Sequence, residues 1–315
     1  MRLEEIRSNI FFWSIPAFLF LLWYLKDVFF IIFTGLIFGI AIQEWSNYLS
    51  RKLKIPFTIV VSLIYLILIL VFIISLYLVA PILLEEIKVL LPNLYDYLDS
   101  LGFKNIKKYL GSTFSQPTPE LLKIVFSNFL NIVGGIFNFI LILVISFYTA
   151  TQSKFIDNFL IKVLNNEKFI KIYFKIKKKF SLWLISQLFL MTTIGISTFI
   201  LLFVLKIPYA GLLALIAGLT EIIPIIGPII AGSIGVIAAF TYDPNLVFWV
   251  IGGFVLIQQI ENHLLVPLVA KYTLNVPPIF TLSGILIGSQ IGGILGIISV
   301  LPMLIILVEI FEEIK

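Results

Sequence analysis

Residues 218–232 read GLTEIIPIIGPIIAG. Glu221 stands alone in an apolar stretch, and Pro224, Gly227 and Pro228 follow it closely. The meaning of that carboxylate depends on what surrounds it. The chain has 315 residues, of which 60% are hydrophobic and 12% charged, and its mean hydropathy is +1.12. A soluble domain of this length could not cover itself with so little polar surface, which makes this a membrane protein. Several apolar runs approach or exceed the roughly 20 residues a helix needs to cross the hydrocarbon core. Long β-alternation is absent, so the expected fold is an all-α polytopic helical bundle rather than an outer-membrane barrel.

Outward from Glu221, spans are expected at about 9–25, 28–42, 57–80, 129–150, 182–205 and 246–266. Regions 209–240 and 278–308 are long enough to cross twice but are cut by Gly and Pro. Counting each as one broken, hairpin-like unit gives about eight membrane segments, re-entrant or fully spanning. Lys26-Asp27 reads as a tight turn between the first two spans. The first apolar run lacks a small-residue cleavage site and is followed at once by another, so it reads as a retained span. Segment 43–56 carries Arg51, Lys52 and Lys54 against Glu44, and 151–181 carries eight lysines against Asp157 and Glu167. Segment 81–128 has five lysines and five acids. The positive-inside rule therefore puts the first two in the cytoplasm and the third outside, with both termini cytoplasmic in the inner membrane. The expected organisation is N-terminal helices at 1–80, an extracytoplasmic segment at 81–128 and a C-terminal transport region at 129–315.

Within 81–128, Leu83, Leu84, Ile87, Leu90, Leu91, Leu94, Tyr95, Leu98 and Leu101 follow a helical period. This is either an amphipathic helix lying on the bilayer or neighbouring helices, or a lid or oligomer contact. Pro92 kinks or restarts it, and Thr118-Pro119 has the form of an N-cap and first-turn proline. KFIKIYFKIKKKF (168–180) interleaves lysine with Phe and Ile. Beside a span, that pattern points to anionic lipid headgroups rather than nucleic acid.

Four places could carry chemistry. Pro224, Gly227 and Pro228 break the backbone more than a kink requires. Freed carbonyls in lipid persist only inside protein or along a wet cavity. A carboxylate there is costly, and discontinuous helices mark transporter binding sites, so Glu221 is a candidate ion or solute site. The competing reading places it at a membrane surface, on the tip of a short hairpin. In IQQIENHLLVP (257–267), Gln258, Glu261 and Asn262 share one helix face. Glu261 is read equally as a site residue or as the cytoplasmic mouth of its span, and His263, the sole histidine, as a mouth residue. GILIGSQIGGILGIISVLP (284–302) has Gly284, Gly288, Gly292 and Gly296 every fourth residue, a stripe for close helix contact, with Ser289-Gln290 in its middle. Ser186, Thr193 and Ser197 share a face of span 182–205, with Gln187 beside them. Such alcohols often bond only their own backbone. Cysteine is absent, which removes disulfides and thiolate chemistry, and no H-E-x-x-H, P-loop or G-x-S-x-G element occurs.

Taken together, PYAGLLALIAGLTEIIPIIGPIIAG (208–232), the Gln258, Glu261 and Pro267 spacing, Pro277 and the glycine series ending at Pro302 resemble the autoinducer-2 exporter family of permease-like membrane proteins. The short N-terminal spans, the outside segment and Gln187 agree with it, whereas Lys271 falls where the family often has glycine. The resemblance implies a helical inner-membrane homo-oligomer. Family members are linked to autoinducer-2 export or to sodium or lithium/proton antiport. The expectation is a secondary transporter, not an enzyme, that exports a small polar, autoinducer-2-like solute; the alternative is sodium or lithium/proton antiport. A non-transport membrane scaffold is the rival of another class. The expected substrate- or ion-binding residues are Glu221, Pro224, Gly227, Pro228, Glu261 and Gln290. Partners are a small solute or monovalent cation, lipids and further copies of the chain, with no nucleic acid and no cofactor.

Overall fold

A computed structural model describes residues 23–75, 77, 119–223, 226–270 and 277–314. Its described elements are all helical. In chain order they are α1 (Lys26–Leu53), α2 (Phe57–Ser75), α3 (Pro119–Thr151), α4 (Ser153–Leu164), α5 (Glu167–Val204), α6 (Ala210–Thr220), α7 (Ile226–Tyr242), α8 (Leu246–Ile260), a π-helical turn (Glu261–Leu265), α9 (Val266–Ala270) and α10 (Pro278–Ile314). Among the described residues, five helical stretches are long and apolar enough to cross a membrane, namely 26–53, 57–75, 134–151, 167–204 and 279–313. The helices α6 and α7 are apolar but shorter. Most of span 9–25, most of segment 81–128, Pro224 and Lys271 lie outside the described residues.

Two sequence expectations need correction. Lys26 and Asp27 are not a turn but the first residues of α1, where the acid suits the positive helix N-terminus. The basic stretch after span 28–42 is not a loop either, because α1 runs on to Leu53 with Arg51 and Lys52 in its last turn. The chain leaves that helix at Lys54, whose φ is 56°.

The chain divides into two contact units. The first comprises residues 1–44, 140–180 and 276–315. Here α1 meets α3 at glycines: a Cβ on Gly35 would lie 2.8 Å from Ile145 Cβ, and one on Gly39 would lie 2.5 Å from Thr149 Cβ. Thr34 and Ser299 share a buried hydrogen bond of 3.1 Å between α1 and α10. Gly293 interrupts α10 with φ 55° and ψ −135°, backbone that only glycine adopts readily. Beyond it the chain doubles back. A Cβ on Gly288 would lie 2.8 Å from the Gly296 oxygen, although residues eight apart in one straight helix would be about 12 Å apart. The glycine stripe therefore lets the two arms of α10 touch, Gly288 against Gly296 and Gly284 against Val300. Gly292 instead meets the Phe30 ring of α1.

The lysines of 168–180 also find uses inside this unit. Lys177 is buried and donates to both Asp157 carboxylate oxygens at 2.9 and 2.8 Å, with Glu44 3.5 Å away. Tyr173 donates its hydroxyl to the same Asp157 at 2.6 Å. Lys175 pairs with Glu313 at 2.6 Å, and Lys179 pairs with Glu309. Three lysines of the stretch are thus tied to acids of α1, α4 and α10, a correction to reading the whole comb as a lipid-facing surface. The physical reason is length. With 38 residues α5 extends about 57 Å, nearly twice the roughly 30 Å hydrocarbon core.

The second unit comprises residues 45–139 and 181–275. Leu202, Ile207, Ala210, Leu213, Ala238, Ala239 and Val250 form one buried cluster, and Ile194, Ala217 and Ala231 form another. Small residues set the spacing. A Cβ on Gly218 would fall 2.8 Å from the Met191 oxygen, so α5 and α6 cross almost backbone to backbone. Gly235 receives the Phe254 ring of α8, and Gly253 receives Leu201 of α5.

Candidate functional site

The helix α6 ends at Thr220 because the chain must leave it before Pro224, which has no N–H to donate and clashes with helix continuation. The last carbonyls of a helix lack intrahelical donors. Here the turn itself supplies several: Glu221 N–H donates to Ala217 O at 3.2 Å, Ile223 N–H to Thr220 O at 3.0 Å, and Gly227 N–H to Ile223 O at 2.8 Å. The Thr220 hydroxyl donates back to Ile216 O at 2.8 Å. Gly227 presses against the Thr220 carbonyl, where any side chain would collide. Pro228 sits in the first turn of α7, where a missing N–H costs nothing. Pro228 thus starts the second arm, and Glu221 itself occupies the break.

Glu221 is 2% exposed. Its backbone carbonyl accepts a 2.7 Å hydrogen bond from Gln187 Nε2 of α5, a buried contact across 34 residues. Its carboxyl meets the carboxyl of Glu261, and its Oε2 has no hydrogen-bond partner. Glu261 is 6% exposed, and its Oε2 accepts from Gln258 Nε2 at 2.9 Å.

Glu261 opens the π-helical turn, closed by Val266 N–H donating to Glu261 O. The cause is visible in sequence. Pro267 cannot donate to His263 O, and its ring would strike that carbonyl in a regular helix, so the helix widens by one residue. This turn carries Glu261 inward, while Asn262 and His263 are exposed. His263 Nδ1 lies 3.0 Å from Gln259 O of its own helix.

The structure therefore brings Glu221, Gly227, Pro228 and Glu261 together in the second unit, with Gln258 and Gln187 added. Gln290 belongs to the first unit, where it is exposed, three residues before Gly293. Pro224 lies outside the described residues. Sequence reading placed Gln187 beside an alcohol stripe. Of that stripe, Thr193 donates to Phe189 O of its own helix at 2.8 Å. The usable signal was Gln187 itself, an amide too polar for a span unless something accepts its hydrogens.

Two buried carboxyl groups in contact repel when both are ionised. A shared proton or a bound cation removes that repulsion, so the pair can exchange one for the other. Among the described residues no group of three or more His, Cys, Asp or Glu gathers as a polyvalent metal site would require. Beside the break lies an open apolar groove of about 590 Å³, lined in part by Leu188 and Met191 of α5 and Gly218 and Leu219 of α6.

The chain is similar to known transport proteins. Over 282 residues the chain is 28% identical to the Bacillus subtilis (strain 168) protein named "Putative transport protein YueF", covering 79% of this chain and 74% of that one. YrrI of the same organism, which carries the same description, is 29% identical over 116 residues, 37% of this chain and 33% of YrrI. The family model described as AI-2E family transporter matches residues 12–315, and the chain belongs to that family of membrane transporters.

Proposed function

We propose that the chain is a secondary transporter that exports a small polar solute, autoinducer-2-like in character, with the Glu221–Glu261 pair as its coupling site. One observation carries the reading: a 2%-exposed carboxyl stands at a helix break, against a second carboxyl, with one oxygen unpartnered. Burying a lone charge in this way costs several kcal/mol unless a proton, cation or donor answers it. A group that needs such an answer responds to a proton or cation gradient. Gly227 and Pro228 hold the break, and Gln290 is an accessory polar group in the other unit. Pro224 would end the first arm. The proposed topology keeps about eight membrane segments, residues 81–128 outside, 151–181 and both termini in the cytoplasm, and further copies of the chain around it.

The same pair supports a second reading, sodium or lithium exchange for protons, because its unpartnered oxygen offers a monovalent cation a negative ligand. Purified chain in proteoliposomes separates the two. Solute export predicts autoinducer-2 flux that follows an imposed pH gradient. Antiport predicts sodium- or lithium-driven proton movement with no added solute. Absence of both fluxes in folded protein leaves a membrane scaffold.

A further inference from the structure

We infer that Gln187 is the positioning residue of the coupling site: its side-chain amide pins the backbone of Glu221 and so leaves the Glu221 carboxyl free to face Glu261. The inference rests on the coupling role proposed for Glu221 and extends it to a residue on another helix.

Three observations converge. Gln187 is 6% exposed, and its Nε2 reaches the Glu221 carbonyl at 2.7 Å. One turn further along α5, the Met191 carbonyl sits against Gly218, so close that a Cβ there would be 2.8 Å away. The last turn of α6 is therefore held to α5 at two successive levels, by a glycine crossing and then by the amide. Finally, the Glu221 carboxyl meets Glu261 while its buried Oε2 has no hydrogen-bond partner, so the Gln187 bond holds the backbone without engaging the carboxyl.

The choice of side chain has a physical logic. An amide donates without carrying charge, so it can secure the broken backbone at any pH. A lysine here would neutralise the carboxyl pair, and a hydroxyl would fall short of a carbonyl on the neighbouring helix. The ionisable groups at this place are Glu221 from the end of α6 and Glu261 from the π-helical turn. His263, two residues on in the same turn, is exposed with Nδ1 3.0 Å from Gln259 O, and from Ser181 to Ile260 the others are Lys206 and Tyr209, before the far end of α6, and Tyr242 and Asp243, at the far end of α7.

The test compares Gln187→Leu and Gln187→Glu with the parent in proteoliposomes, using two readouts across an acid-to-alkaline series. One is gradient-driven flux. The other is the adduct formed at Glu221 by dicyclohexylcarbodiimide, an apolar reagent for protonated carboxyls, quantified by peptide mass spectrometry. Leaving a buried carbonyl unpaired shifts a local equilibrium roughly 5- to 150-fold. Gln187→Leu should lower maximal flux and adduct yield by factors in that range, with KM and folded yield retained. Gln187→Glu should follow the parent at acid pH, where its neutral carboxyl still donates a proton to the carbonyl. It should follow Gln187→Leu at alkaline pH, where it cannot donate. Parental flux and adduct yield in Gln187→Leu would overturn the inference. So would a Gln187→Glu profile that tracks Gln187→Leu at every pH, which also decides the matter if Gln187→Leu does not fold. A parent without gradient-driven flux, but with Gln187-dependent adduct at Glu221, would sink the transport reading and leave this one standing.

Discussion

Glu221→Gln isolates the proton step from the rest of the site. The side chain keeps its length and planarity, and its amide can donate to Glu261, as a protonated carboxyl would. A hydrogen bond to a charged acceptor is worth about 1.5–3 kcal/mol, and a neutral one about 0.5–1.5 kcal/mol. The carboxyl contact it replaces carries repulsion whenever both groups ionise, and the Gln187 bond reaches the backbone, which the substitution leaves alone. The variant should therefore fold with stability equal to the parent or higher by about 1 kcal/mol. Coupling should be lost entirely, because an amide cannot take up or release the proton or cation. The assay is flux in proteoliposomes against an imposed pH gradient, beside thermal aggregation in detergent. Glu221→Asp should keep partial flux, since the charge survives and the reach shortens. Purified Glu221→Gln with the parental rate and pH dependence refutes the reasoning. The carboxyl would then be a bystander of the turn, and the transport site would have to be sought around Glu261 and Gln290.

Other elements make separate commitments. Gly288→Leu drives a branched side chain into the Gly296 backbone, and overpacking of this kind typically costs about 1–3 kcal/mol, so folded yield in detergent should fall; unchanged yield would mean the arms of α10 part easily. Lys177→Met leaves Asp157 with the Tyr173 hydroxyl but no cation and should lower thermal stability by up to roughly 3 kcal/mol, with most of the loss recovered in Lys177→Met/Asp157→Leu. A double variant no more stable than the single one would show that the ion pair is not what holds α4 to α5. For topology, this cysteine-free chain accepts single labels: impermeant maleimide on intact cells should modify Ser100→Cys and spare Lys162→Cys. The reverse pattern inverts the proposed orientation. Pro267→Ala restores the missing N–H, so the π-helical turn should relax to regular helix and rotate Glu261 away from Glu221; coupled flux should fall while folded yield holds.

Composition determined that the chain lives in a membrane, because 60% hydrophobic residues leave no other solvent for it, and long apolar runs without β-alternation made it helical, since lipid tolerates only helices and closed barrels. The broken stretch around Glu221 was legible for the same reason: proline, glycine and carboxylate are each costly there, and costs that cluster mark a site. The glycine stripe was legible as a close contact, but its partner was not. Periodicity says that a face is smooth, and only the positive φ of Gly293 decides that α10 meets itself. The lysine comb was misread in part, because charge counts in one segment cannot reveal that Glu44, Asp157, Glu309 and Glu313 converge on it from distant parts of the chain. The pairing of Glu221 with Glu261 is a tertiary feature. Glu221 and Glu261 are forty positions apart, and Gln187 reaches Glu221 across thirty-four. Sequence could name each as a polar residue too expensive to leave unexplained, but only helix crossings at Gly218 and a π-helical turn before Pro267 put them within reach of one another.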